Sequence, residues 1–110
     1  MIMTVESLVK ECGFEVICMP SPEREPNGAY IGDLLSWVMG KADSGNVWIT
    51  IMSNINVIAV ATLADVSCIV LAEGVTLDAD VISAAEAKGV NVLSSPLSAY
   101  SIAKKLSQIL

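Results

Sequence analysis

The sequence predicts an α/β domain: a layered sandwich with a mainly parallel or mixed central sheet and helices on both faces. Three observations predict it. Short β-branched runs alternate with stretches of helical apolar spacing along the whole chain. Hydrophobic residues make up 54% of the 110, ample for a core and incompatible with disorder. No internal repeat or linker divides the chain, and its length suits one domain, residues 1–110.

Thr4 is a helix N-cap with Glu6 in the first turn; Val5, Leu8 and Val9 make an apolar stripe, and Gly13 ends the helix. Phe14 to Cys18 reads as a short strand. Met19 to Gly28 reads as a loop, because Pro20, Pro22 and Pro26 forbid regular structure and Asn27-Gly28 is a turn signal. Asp33 is expected to cap a helix over Leu34 to Met39, closed by Gly40. Asp43 to Asn46 forms another turn, and Val47 to Ile51 is a buried strand.

Ile55 to Leu63 is β-branched enough for a strand. Ser53 or Asn54 could equally cap a helix there, and Ala59, Ala61 and Ala64 suit close helix packing. We read a helix, because strand–helix–strand order gives Cys68 to Leu71 a parallel partner. Asp78 or Thr76 then caps a helix to Lys88, with Gly89 past its end, and Val90 to Leu93 is a strand. Ser95-Pro96 is expected to open the last helix, where Ala99, Ile102, Ala103, Leu106 and Ile109 recur at helical spacing. Lys104 and Lys105 lie in its second half, where positive charge is favourable.

Composition removes several functions. Twelve acids against six bases give a net charge of -6, which disfavours nucleic acid and anionic membrane surfaces. The absence of histidine removes His-based triads, metal sites and acid–base chemistry. Cys12, Cys18 and Cys68 are odd in number and lack metal-site spacing, so they read as reduced structural thiols, with Cys12 the most exposed. No metal or cofactor is expected. The opening Met-Ile-Met-Thr-Val-Glu has no basic region and does not read as a signal peptide. Ser44 to Ala64 carries no charge, but polar residues interrupt it and Asp43 and Asp65 flank it. It reads as buried core rather than a membrane span, and the protein as cytoplasmic.

The stretch from Glu23 to Ser36, with Arg24, Asn27, Gly28 and Asp33, resembles the signature of the DRTGG domain family. Val47 to Ile51, Asn54 to Val57 and Leu93 to Tyr100 resemble the same family in order, so the likeness spans nearly the whole chain. The naming motif is altered. Glu23 stands where Asp is usual, Asn27 where Thr is usual, and Ala29 replaces the second Gly, while Arg24 and Gly28 are kept. The family is similar to the N-terminal domain of HPr kinase/phosphorylase. The resemblance implies an α/β fold and a bacterial regulatory or ligand-sensing module, and short free-standing members resembling this chain accompany redox complexes. It does not imply a kinase. Gly40-Lys41 is the only Gly-Lys pair; Leu35 stands where a P-loop needs its first glycine and Ala42 where it needs Ser or Thr.

Candidate binding residues follow. Arg24, the sole arginine, can hold a phosphate or carboxylate, or pair with an acid such as Asp33 to fix the loop. Ser53, Asn54 and Asn56 follow a strand at a helix start, and Ser94 and Ser95 follow the last strand. Ligands of α/β folds gather at such strand ends, although capping explains each set alone. The expected site places Arg24, Asn27, Gly28, Ser53, Asn54 and Ser95 at one end of the sheet.

The expected function is a non-catalytic regulatory module that binds a small ligand, a nucleotide or another anion. The alternative is an adaptor subunit of a larger redox or signalling assembly. A homodimer is expected, because a mean hydropathy of +0.64 leaves an apolar surplus on so short a chain. The central segment Ile55 to Leu63, with Trp37 or Tyr100, is the expected contact.

Overall fold

The computed structural model describes residues 2–110; Met1, where the leader reading begins, lies outside them. The elements run α1 (Val5–Cys12), β1 (Glu15–Cys18), β2 (Ala29–Ile31), α2 (Leu35–Lys41), β3 (Val47–Thr50), α3 (Asn56–Ala64), β4 (Cys68–Leu71), α4 (Ala79–Lys88), β5 (Val92–Ser94) and α5 (Ala99–Ser107). The sheet is five-stranded in the order β1-β5-β4-β3-β2. Strands β2 to β5 are parallel neighbours, and β1 closes the far edge antiparallel to β5.

Both faces of the sheet are covered. Val47, Ile49, Cys68, Val70 and Leu93 form a core with Val5 and Leu8 of α1 and Ile102 and Leu106 of α5. Trp48, Ile69, Leu71 and Val92 form the other core with Val38, Val57, Ile58, Val81 and Ala85 from α2, α3 and α4. Burial on both faces is why β3 and β4 read as unbroken apolar runs. Among the described residues no helix is long and apolar enough to cross a membrane.

The segment from Asn56 to Ala64 is helical, as its strand–helix–strand setting requires. Thr4 caps α1 by accepting from Ser7 N–H, and Gly13 and Gly89 end α1 and α4 in left-handed conformations. Four expectations need correction. First, β2 is a strand the local sequence does not announce; three residues after a Pro-Asn-Gly turn carry little propensity, and parallel pairing with β3 creates the strand. Second, Asp33 does not cap α2. Leu34 holds the cap position without a side-chain bond, and α2 runs through Gly40 to Lys41. Third, Ser98, not Ser95-Pro96, caps α5 by accepting from Ser101 N–H. Fourth, Cys12 is buried like Cys18 and Cys68, because it faces α5 and the sheet.

Candidate functional site

Parallel strands give the sheet a polar sense, and the expected site residues separate along it. The carboxyl ends of β2 to β5 carry Asp33, Ser53, Asn54, Asn56, Ser94 and Ser95. Arg24, Asn27 and Gly28 lie before β2, at the amino ends, roughly 10 Å away at ~3.3 Å per strand residue. The expected single cluster is therefore corrected. Once β2 runs parallel to β3, the loop that feeds it must enter from the amino end.

At the carboxyl end most polar groups are already used. Asp33 Oδ1 accepts from Thr50 Oγ1 at 2.8 Å and from Ile51 N–H at 3.0 Å, tying the end of β2 to that of β3. Asn54 Oδ1 accepts from Asn56 N–H at 2.9 Å, and Asn54 O accepts from Val57 N–H, so the first amides of α3 are satisfied by its own loop. Ser94 and Ser95 are buried, and Ser95 Oγ accepts from Leu97 N–H at 3.1 Å. Ser53, Asn54 and Asn56 remain exposed. The charges at this end include Asp33 and Glu73. Lys41, Lys88, Lys104 and Lys105 lie in the last turns of α2, α4 and α5, helices that run away from it.

The amino end is a hydrogen-bonded lattice. Asn46 Nδ2 donates to Asn27 O at 2.8 Å, and Asn27 N–H donates to Gly45 O at 3.0 Å. Gly28 sits at φ 56° while its carbonyl accepts from Val47 N–H, a conformation that glycine adopts cheaply. Asn91 Nδ2 donates to Ser21 O at 2.7 Å and Ser67 O at 3.0 Å, and Asn91 Oδ1 accepts from Ser21 N–H at 2.8 Å.

Asp65 is the hub of this end. It ends α3 in a left-handed conformation, φ 56°. Its carbonyl accepts from Gly45 N–H at 2.8 Å and from Arg24 Nη2 at 3.1 Å. Its carboxylate accepts from the Ser44 hydroxyl and pairs with Arg24 Nη1 at 3.2 Å. Arg24 thus pairs with Asp65 rather than Asp33. The Ser44 hydrogen bond above all, joined by the charge and hydrogen bond of Arg24 and opposed by burial, holds the Asp65 carboxyl below its usual range.

A depressed folded-state value means stability that is present above the unfolded value and is lost as pH falls through the folded one. Asp65→Asn should therefore be less stable than the native chain near neutrality. The gap should close as the carboxylate protonates below about pH 4, in the range where unfolded aspartate titrates. Urea denaturation across that range checks it; a gap independent of pH would deny the carboxylate its part. The pair is exposed, so the effect is small.

Beside this hub lies a polar cleft of about 120 Å³ lined by Arg24, Thr62, Asp65, Lys88 and Gly89 among others. Lys88, Thr62 and Asp65 carry no motif, and only the return of α3 and α4 to the amino end brings them to Arg24. A second, apolar cleft of about 230 Å³ lies between Gly28 and Ala29 at the start of β2 and Ala103, Leu106, Ser107 and Leu110 near the end of α5.

Nucleophiles are few. Burial pushes the Cys68 thiol up to about 12 and raises Cys12 and Cys18, so none offers a thiolate at neutral pH. No group of three or more Cys, Asp or Glu among the described residues could hold a metal ion.

A small two-faced α/β module with a locked amino end and a basic cleft beside Asp65 is the class these features define. The chain belongs to the DRTGG domain family, whose model matches residues 7–109. The fold is similar to the solved structure of the CBS and DRTGG domains of the regulatory region of Clostridium perfringens pyrophosphatase, complexed with the activator diadenosine tetraphosphate. The TM-score is 0.74 over 92% of this chain, at 12% identity. This chain spans 44% of the length of that one. No curated protein sequence matches it.

Proposed function

We propose that this protein is a non-catalytic regulatory module that binds a small anionic ligand such as a nucleotide, and that it works as a homodimer. Its family membership, together with its likeness to a regulatory region complexed with a dinucleotide activator, carries the reading. The cleft between Arg24 and Lys88 is the place for the anion, because Lys88 adds a positive charge beyond the one that Arg24 shares with the Asp65 carboxylate. At about 120 Å³ it takes a phosphate group but not a whole nucleotide, whose usual pockets exceed ~300 Å³. The base and sugar would lie outside it. Three unpaired, buried cysteines support a reducing compartment, the cytoplasm.

Thermal melting with adenine nucleotides, diadenosine tetraphosphate included, tests the reading. A ligand that binds the folded state alone adds about 2.7 kcal/mol at a hundred times its Kd. Lys88→Ala should erase that gain and leave the ligand-free melting point unchanged, since Lys88 is exposed and follows no structural bond. Arg24→Ala is the poorer probe, because it also strips Asp65 of its partner. If no nucleotide shifts the native chain, the ligand reading falls. An adaptor role in a larger assembly is then favoured by the exposed Leu34, Trp37, Ile51 and Ile55.

A further inference from the structure

The two edges of the sheet are treated differently. Strand β1 carries a charge at Glu15 and an irregular register between Val16 and Cys18, devices that discourage pairing with another chain. Strand β2, Ala29-Tyr30-Ile31, has neither charge nor proline, and among the described residues nothing lies beyond it in the sheet. Its backbone sense follows from its neighbours. Gly28 O and Gly32 N–H both point to β3, to Val47 N–H at 3.1 Å and Ile49 O at 3.2 Å. Backbone groups alternate along a strand, so Ala29 and Ile31 aim their amides and carbonyls outward.

The side chains of Ala29 and Ile31 share one sheet face, opposite that of Tyr30, which packs on the core beneath α2 to α4. On that face Ile31 is 50% exposed, a projecting branched side chain. Beside Ala29, on the same strand, lies the empty apolar cleft formed with Ala103, Leu106 and Leu110. A projection and a recess two residues apart on an open edge are self-complementary.

We propose that β2 is a two-fold interface: it pairs antiparallel with β2 of a second copy, centred on Tyr30, and each Ile31 enters the cleft beside the other copy's Ala29. This rests on the dimer reading above and says where that dimer forms. The register satisfies three independent requirements. Ala29 and Ile31 of opposite copies become hydrogen-bonded pairs, which uses every outward backbone group of the strand. A small residue faces a large one across the seam. Gly28 faces Gly32, and the nearby carboxylate of Asp33 is turned inward to Thr50 and Ile51, so no acid opposes an acid across the seam. The ladder is short against the ~800 Å² that a standard interface takes from each partner. Leu34 and Trp37, 59% and 57% exposed and next along the chain, extend the apolar surface.

Sedimentation at about 100 µM and a disulfide test decide it. The native chain should sediment near twice 11.6 kDa. Ile31→Asp, a change at a half-exposed position, should sediment as a folded monomer, with its circular dichroism unchanged. Leu63→Ser, at an exposed position on α3, which covers the opposite face of the sheet, should remain dimeric. On oxidation, a mixture of Ala29→Cys and Ile31→Cys chains should form a covalent dimer, because hydrogen-bonded partners lie ~5.5 Å apart at Cα, within disulfide range. Ala29→Cys alone should not, its own copies lying beyond ~7 Å. The three native thiols are buried and give no background. A native dimer that survives Ile31→Asp and yields no mixed disulfide would reject this interface while keeping the dimer. A native monomer would reject both, and an edge that pairs only with another protein's strand would be one such result.

Discussion

Asn91→Ala should destabilise the protein by about 3 kcal/mol, because it removes three hydrogen bonds and strips Ser21 N–H and Ser67 O of this partner, at ~1–3 kcal/mol for each that stays buried, while Ser21 O keeps the Arg24 N–H at 3.3 Å. Asn91 is 1% exposed, at the amino end of β5. Its side chain holds Ser21 by both backbone groups and Ser67 by its carbonyl. It thereby joins the loop after β1 to the residue before β4, neither of which is near it in sequence. Asn91→Asp is the informative companion. It keeps the acceptor for Ser21 N–H but turns a second oxygen toward two carbonyls, so it should be no better than alanine at neutral pH. Urea denaturation checks both, and a loss under about 1 kcal/mol for alanine would show that the lattice tolerates its removal.

Trp48→Ala should cost about 3–5 kcal/mol, the range for deleting a buried aromatic. Trp48 is fully buried at the centre of β3, under α2 and α3, and its Nε1–H donates to Gly32 O at 2.9 Å. That bond fixes the exit of β2, so the loss combines a cavity with a freed carbonyl. Trp48→Phe separates the two contributions. It keeps most of the packing and should lose about 1–2 kcal/mol, mainly for the unpaired Gly32 carbonyl. Domains of this size hold ~5–15 kcal/mol in all, so the alanine variant should sit near the limit of folding. Equal losses for alanine and phenylalanine would contradict the packing account.

The elements that carry their own local signals were legible. Thr4, Gly13 and Gly89 mark helix ends by capping chemistry alone, and the β-branched runs of β3 and β4 announce burial on two faces. Strand β2 was not, because its only cause is a neighbour 18 residues away, Ala29 against Val47. That omission explains the misplaced site. Without β2 nothing orients the Met19–Gly28 loop, and Arg24 is free to be drawn beside Ser53 and Ser95. Its partner Asp65 lies 41 residues on, at the end of a helix whose direction is known only from the sheet. Lys88 has the appearance of any helix-ending cation. Asp33 looks like a cap because aspartate before an apolar helix usually is one; here Thr50 and Ile51 compete for the same oxygen and win it.

The antiparallel strand β1 has a consequence for how the chain comes together. Its sole neighbour in the sheet is β5, through Glu15 with Ser94 and Val16 with Leu93. Whatever the ribosome has released, the first strand stays without a ladder until nearly the last has emerged. The parallel unit from β2 to β4 can assemble beforehand from closer pairings, but the closing step brings together residues as far apart as Glu15 and Ser94. Loop closure of that span is entropically unfavourable until its contacts form, and contacts of long sequence separation slow folding. A nascent chain stopped before Val92 would carry an unpaired β1, and with it the uncovered Phe14 and Cys18, until synthesis finished.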